Sequence, residues 1–426
     1  MNNGMTDTCF CEIKNKKKWI FLLFAIAVGG LYALKQIALL RFLILGSVAI
    51  AIFYDPAMAM GLYIISADTV SNIFPSVIHI AIIAVVCCSF TAHGLRYARQ
   101  CREFLVLACF CASIAISSMA GFNPNFNTGV ILFFCVYYYM MIVNIRDKEK
   151  CAVIAWSYYC AAIGMVVYIL FTALRGGEVI KYGRLSFGGD IKVVSEAMVY
   201  PLALILGQYI SSEEIFHGFP KRKSNLVMGA VFGIVLILTL ARGIMLALMI
   251  AFLIEFLYVT RKSATFVRIL PVAIFAVGVI LLSMDSGTFR IQRLFESDEF
   301  LNGNGRTDIW KYYIELIIDR GPLSVIFGIG PGSIARISNT GLYAHSTYLD
   351  FFFSYGLVGF IQIIVLQMRS IVGAIRTRKL PLIGLIITCF VLNITHGSAA
   401  NVNLFIIQGL IMQRYYNEGH MNEDES

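Results

Sequence analysis

Arg242 sits in the run Thr239-Leu240-Ala241-Arg242-Gly243-Ile244, with long apolar stretches on both sides. An arginine at bilayer depth costs about 2.5–3.5 kcal/mol on insertion scales, so it usually faces a cavity and has a partner. It can also snorkel, its stem in apolar surroundings and its head at the lipid headgroups. The cavity reading is favoured because a second segment crowds Arg175, Lys181, Arg184 and Lys192 together against only Glu178 and Asp190. Such a concentration of positive charge attracts anions. Arginine suits phosphate above all: its charge is permanent and its planar fork pairs bidentately.

A third segment adds other chemistry. Arg306-Thr307-Asp308-Ile309-Trp310 opens an expected helix that runs through Ile318, its apolar positions recurring at helical spacing. Asp319-Arg320-Gly321-Pro322 ends it. Phe327 to Ser333 then places Gly328, Gly330 and Gly332 in one turn, where missing side chains let backbone approach a ligand closely. A plain turn explains the same residues equally well. His345 follows, at the expected membrane edge, where imidazole can titrate near neutral pH. A single histidine is more often structural than catalytic. His79, His93, His217 and His420 are read as structural or solvated, and His396 stays open beside a turn. The 11 cysteines show no zinc spacing, and none falls between Asp285 and His345.

These residues must be held by membrane helices. The chain is 59% hydrophobic and only 14% charged over 426 residues, with a mean hydropathy of +0.78. A soluble domain of that length needs far more charged surface. Runs long enough to span a bilayer extend from Trp19–Leu34 to Val402–Gln413 and include Val193–Tyr209, Val267–Met284 and Tyr348–Met368, while Pro56–Ala67 is ambiguous between a short span, a re-entrant piece and part of a neighbour. The expected architecture is an all-α polytopic bundle of 12–14 transmembrane helices with one large, partly helical periplasmic loop. Residues 1–18 form a cytoplasmic tail, 19–284 the main bundle, 285–345 the loop, 346–413 the last helices and 414–426 a second tail. Lysines 14 and 16–18 precede the first run, and basic segments recur at Arg96–Arg102, Arg146–Lys150, Lys221–Lys223, Arg261–Arg268 and Arg369–Lys379. Placing these in the cytoplasm puts the arginine-rich segment, the Arg242 turn and the long loop together on the outer side.

The combination Gly305-Arg306…Trp310, then Gly328-Ile329-Gly330-Pro331-Gly332, then His345-Ser346-Thr347-Tyr348-Leu349 resembles the O-antigen polymerase and O-antigen ligase superfamily. The turn at Arg242 and the Tyr182–Gly189 segment are similar to its other recurrent positions. Ser346 stands where asparagine is commoner, and Ala241 where serine often precedes the arginine. The resemblance covers roughly residues 181–360. It implies a metal-independent, cofactor-free glycosyltransferase that moves a glycan from undecaprenyl pyrophosphate at the periplasmic face of the bacterial inner membrane. It further implies Arg184, Arg242 and Arg306 on pyrophosphate, and His345 as base or further phosphate contact. Arg175, Lys181, Gly328, Gly330, Gly332 and Tyr348 would complete the substrate-binding set. The glycine-rich run and the Tyr-Leu-Asp-Phe-Phe run favour a polymerase, which elongates a lipid-linked repeat, over a ligase, which loads the lipid A core. The implied partners are the lipid-linked oligosaccharide, the bilayer, and a chain-length regulator and flippase; no nucleic acid is expected. A lipid-linked sugar flippase is the alternative from another class, but it predicts two related halves and midplane charges. A purely structural partner leaves the outer arginines unexplained.

Overall fold

The computed structural model describes residues 15–94, 104–119, 126–143, 145, 148–181, 184–187, 191–211, 222–259, 306–333, 344–395 and 402–423. The protein is an all-α polytopic membrane protein, as its composition predicts. Ten helices come first: α1 (Asn15–Ala33), α2 (Ile37–Tyr54), α3 (Pro56–Ile73), α4 (Ser76–Gly94), α5 (Phe104–Met119), α6 (Phe126–Val143), α7 (Lys148–Leu174), α8 (Ile191–Ser211), α9 (Arg222–Thr239) and α10 (Arg242–Val259). A two-stranded hairpin, β1 (Ile180–Lys181) and β2 (Arg184–Leu185), lies between α7 and α8. After it come α11 (Arg306–Asp319), α12 (Pro322–Phe327), α13 (Thr347–Thr377), α14 (Leu380–Thr395) and α15 (Val402–Glu423). Helices suit these apolar runs because hydrocarbon offers no partner for an open backbone N–H or C=O. Among the described residues, four stretches are long and apolar enough by themselves to cross a membrane: 37–54, 149–174, 192–211 and 347–377.

The ambiguous stretch after Pro56 is a full helix. Asp55 caps α3 by accepting the Ala57 N–H at 3.0 Å, and Pro56 takes the first helical position, where its missing N–H is harmless. Residues 57–66 are buried throughout, so α3 is an interior element. With α3 counted, four helices separate the lysines before Trp19 from Arg96–Arg102. An even number is what two basic segments in one compartment require.

Polar contacts fix the direction of the helices. Lys17 Nζ reaches Asp55 at 2.7 Å and Glu149 at 3.1 Å, tying the start of α1 to the α2–α3 junction and the start of α7. At the far end Arg175 Nη1 donates to the Ala33 carbonyl at 3.4 Å. Helices α1 and α7 therefore run parallel, in contact where a Cβ on Gly29 would overlap the Gly164 carbonyl. Helix α9 runs against α8, since Asn225 near its start bonds Gln208 near the end of α8 at 3.0 Å.

Two elements extend beyond the expected spans. Helix α13 continues to Thr377 and takes in most of the basic segment beginning at Arg369. Helix α15 continues to Glu423, so the residues expected as a tail are largely helical. Arg376 explains part of this, bonding the Tyr415 hydroxyl at 2.8 Å with its guanidinium over the same ring. The expected span Val267–Met284 and residues 285–305 and 334–343 of the long loop lie outside the described residues.

Candidate functional site

The hairpin carries the first group of cations. Lys181 pairs with Arg184 across the strands, and Ile180 with Leu185. Leu185 and Phe187 are buried, and Phe187 lies 4.8 Å from the Tyr32 ring and 4.6 Å from the Tyr168 ring. These aromatics fasten the hairpin to the far ends of α1 and α7, away from Lys17. Strand β2 packs on α8 and α9. Arg184 is half-buried and Lys181 exposed. Arg175 is exposed and held to the end of α1, so it stands at the rim.

Helix α10 brings Arg242 to the same end. Leu240 turns the chain with a φ of 51°, and Arg242 is the first residue of α10. The register of α10 is fixed by Glu255, which is 1% exposed. Its carboxyl lodges between Gly207 of α8 and Gly384 of α14, and a Cβ at Gly384 would overlap Oε1. Arg242 is thirteen residues earlier, about 20 Å along the axis at the usual rise. The same rise from Gly207 reaches Val194, in the first turn of α8. The backbone of Arg242 thus stands level with the start of α8, beside the hairpin.

The third group is built by α11 and the glycine turn. Helix α11 follows the expected bounds, ending before Gly321, whose φ is 97°, and Pro322. Its buried face, Tyr313 and Ile317, joins Ile329, Ala344 and Phe353 in a small cluster of their own. Trp310 Nε1 donates to the Ala344 carbonyl at 2.7 Å. Arg306 heads this helix one turn before Trp310, so its backbone sits close to the approach to His345. His345 itself is exposed, with a φ of 51°. Its neighbours Ala344 and Ser346 are buried on both sides, which holds the strained residue in place.

The glycine turn makes its close backbone approach to helix α13. Gly356 interrupts α13 with φ 66° and ψ −163°, freeing carbonyls that the turn uses. Ile329 N–H donates to Phe353 O at 2.8 Å, and Gly330 N–H to Ser354 O at 3.0 Å. A Cβ on Gly328 would overlap the Ser354 backbone, and one on Gly356 the Ile326 carbonyl. Glycine is needed at both positions for positive φ and for space. Gly330 and Gly332 also have positive φ. The N–H groups of Gly328, Ile329, Gly330 and Ser333 in this turn bond within the protein.

Helix α14 joins the two sides. Thr347 Oγ1 donates to Asn393 Oδ1 at 2.7 Å, and Asn393 Nδ2 donates to Cys389 O at 2.6 Å. Tyr348, buried, directs its hydroxyl to the Phe390 carbonyl at 3.5 Å. From the other side α8 packs against α14, Gly207 near its end meeting Pro381, which brings Glu196 level with Leu392 and Asn393 at the usual rise. Lys192, one turn from Glu196, is its ion partner at 3.5 Å. Sequence reading noted Lys192 but missed Glu196. The signal was present, since Glu196 is an acid inside the expected apolar span 193–209, and an ionisable group there marks a site by default.

The chain positions of Arg184, Lys192, Glu196, Arg242 and His345 thus lie toward one end of a many-helix membrane bundle. Residues 227–364, from α9 into α13, match the family model described as O-antigen ligase. That match supports the superfamily of O-antigen ligases and polymerases, whose members are glycosyltransferase-like enzymes of lipopolysaccharide synthesis. A comparison with curated proteins returns no match.

Proposed function

We propose that the protein is a surface-polysaccharide polymerase. It transfers a growing glycan from undecaprenyl pyrophosphate onto a lipid-linked repeat unit, at the periplasmic face of the inner membrane. The observation that carries this reading is the convergence of Arg184, the head of α10 at Arg242, and the Trp310-pinned approach to His345 at the end opposite Lys17. The reaction breaks the bond from sugar carbon to pyrophosphate oxygen, and its electron pair leaves with a multiply charged anion. Arg184, Arg242 and Arg306 neutralise that anion through bidentate hydrogen bonds, so no divalent ion is required. His345 accepts the proton of the attacking hydroxyl, or binds the phosphate as it departs.

The second reading, a ligase acting on lipid A core, is favoured by the description of the matching family itself. Sizing the glycans of a deletion strain and of a His345→Ala strain separates the two. A lost polymerase leaves core bearing a single repeat, with lipid-linked single repeats accumulating. A lost ligase leaves bare core and long polymer stranded on undecaprenyl pyrophosphate. Base catalysis typically contributes roughly a hundredfold to ten-thousandfold, so His345→Ala should resemble the deletion. Wild-type glycans in that strain remove His345 from the mechanism.

A further inference from the structure

A transfer site has two substrates, and the cations address only one of them. The donor is an anion, met by arginine. The acceptor is a sugar hydroxyl, whose O–H needs a hydrogen-bond acceptor close to the breaking bond. Arg184, Arg242, Arg306 and Lys192 are donors only, whereas a carboxylate is an acceptor through both oxygens.

Glu196 is the carboxylate the fold delivers. It lies in the second turn of α8, the helix on which the Arg184 strand packs. Gly207, near the end of α8, meets Pro381 at the start of α14, so Glu196, eleven residues earlier on this antiparallel helix, stands level with Leu392 and Asn393. Asn393 in turn holds Thr347, two residues after His345. The carboxylate and the histidine loop thus reach α14 at a similar level, and Arg242 heads α10 near that level too. Lys192 at 3.5 Å offsets part of the charge of Glu196, which allows an anion to stand in a site built for pyrophosphate. The pair is half-buried, its side chains 36% and 18% exposed, with the Glu196 oxygen that faces Lys192 shielded from solvent.

We infer that Glu196 is an acceptor-binding carboxylate: it takes hydrogen bonds from hydroxyls of the incoming sugar and sets which oxygen attacks. This rests on the transferase reading above. No bond to Glu196 forms or breaks; the hydroxyl keeps its proton until the attack itself.

The test uses the full chain in lipid nanodiscs. Long-chain lipid-linked glycan is the donor, and single lipid-linked repeats, extracted from the deletion strain, are titrated as acceptor. Glu196→Gln keeps the shape and one acceptor oxygen but removes the charge; Glu196→Ala removes both. The expected result is an acceptor KM raised at least tenfold in Glu196→Gln and further in Glu196→Ala, with donor KM within twofold of wild type. Glu196→Asp should recover part of the loss. An unchanged acceptor KM in Glu196→Gln overturns the inference. So does a change confined to donor KM and shared by Lys192→Gln, which would make Glu196 merely the partner of that lysine. Should Glu196→Ala be poorly folded, Glu196→Gln and Glu196→Asp carry the decision alone. If wild-type protein elongates nothing but glycosylates lipid A core, the polymerase reading fails separately, and the same titration is repeated with core as acceptor.

Discussion

Replacing Gly356 with alanine tests whether the glycine turn serves the site by docking into helix α13. Its φ of 66° and ψ of −163° belong to a region open almost only to glycine; holding alanine there costs about 1–3 kcal/mol. The new Cβ would also overlap the Ile326 carbonyl, and relieving such crowding typically costs about 1–3 kcal/mol more. At the lower limit of about 2 kcal/mol, the ratio of docked to undocked turn falls roughly thirtyfold. Undocking separates Ile329 from Ala344 and Phe353 and so frees the residue next to His345. Polymer should fall at least tenfold while the protein still accumulates in the membrane, read by glycan sizing beside a blot of the membrane fraction. Gly328→Ala meets the same interface from the other side. Combining the two should add little, because both variants break one contact. Gly46→Ala is the control, since a Cβ there meets nothing within 4 Å. Normal polymer from Gly356→Ala at normal expression would refute the reasoning.

Three further outcomes are expected. A reporter active only outside the cytoplasm should be active when fused after Asn302 and silent when fused after Lys223; the reverse pattern would put the arginines and His345 in the wrong compartment. Arg242→Ala and Arg306→Ala should each abolish polymer without preventing insertion, and normal-length polymer from both would end their assignment to pyrophosphate. Lysine at either position should rescue only in part, because a point charge does not reproduce the fork; full rescue by lysine would show that charge alone suffices.

Much of the fold was legible because lipid imposes a simple rule. Every apolar run must be a helix, and basic loops point one way. Helix α11 and its stop were readable for the same reason, since periodicity and the Gly321-Pro322 break are local signals. Residues 56–73 were harder: they are less apolar than their neighbours and lie in the interior, so the lipid-facing signal is weak. The break in α13 was not legible either. Gly356 looks like any membrane glycine until the turn at Gly328 is brought beside it in space. Glu196 carried a local signal, an acid within an apolar run, but its place beside α14 is visible only in space. Arg184, Arg242 and Arg306 stand on separate elements, and only contacts such as that of Glu255 with Gly207 and Gly384 reveal the level of each along the bundle.

The two sides of the site are carried by different packing systems, and α14 belongs to both. On one side α8, α9 and α10 bring Arg184, Glu196 and Arg242, locked to α14 by the Glu255 slot. On the other, α11, α12 and the broken helix α13 bring the head of α11 and His345, locked to α14 through Thr347 and Asn393. Asn393 can do this because its amide both donates to its own helix at Cys389 and accepts from Thr347. An aspartate could accept but not donate, and a leucine could do neither. The donor-binding arginines of both sides and the acceptor-binding carboxylate of Glu196 would therefore be positioned through one shared helix. That arrangement keeps the attacking oxygen and the departing phosphate in a fixed relation, which bimolecular transfer between two large glycans demands above all.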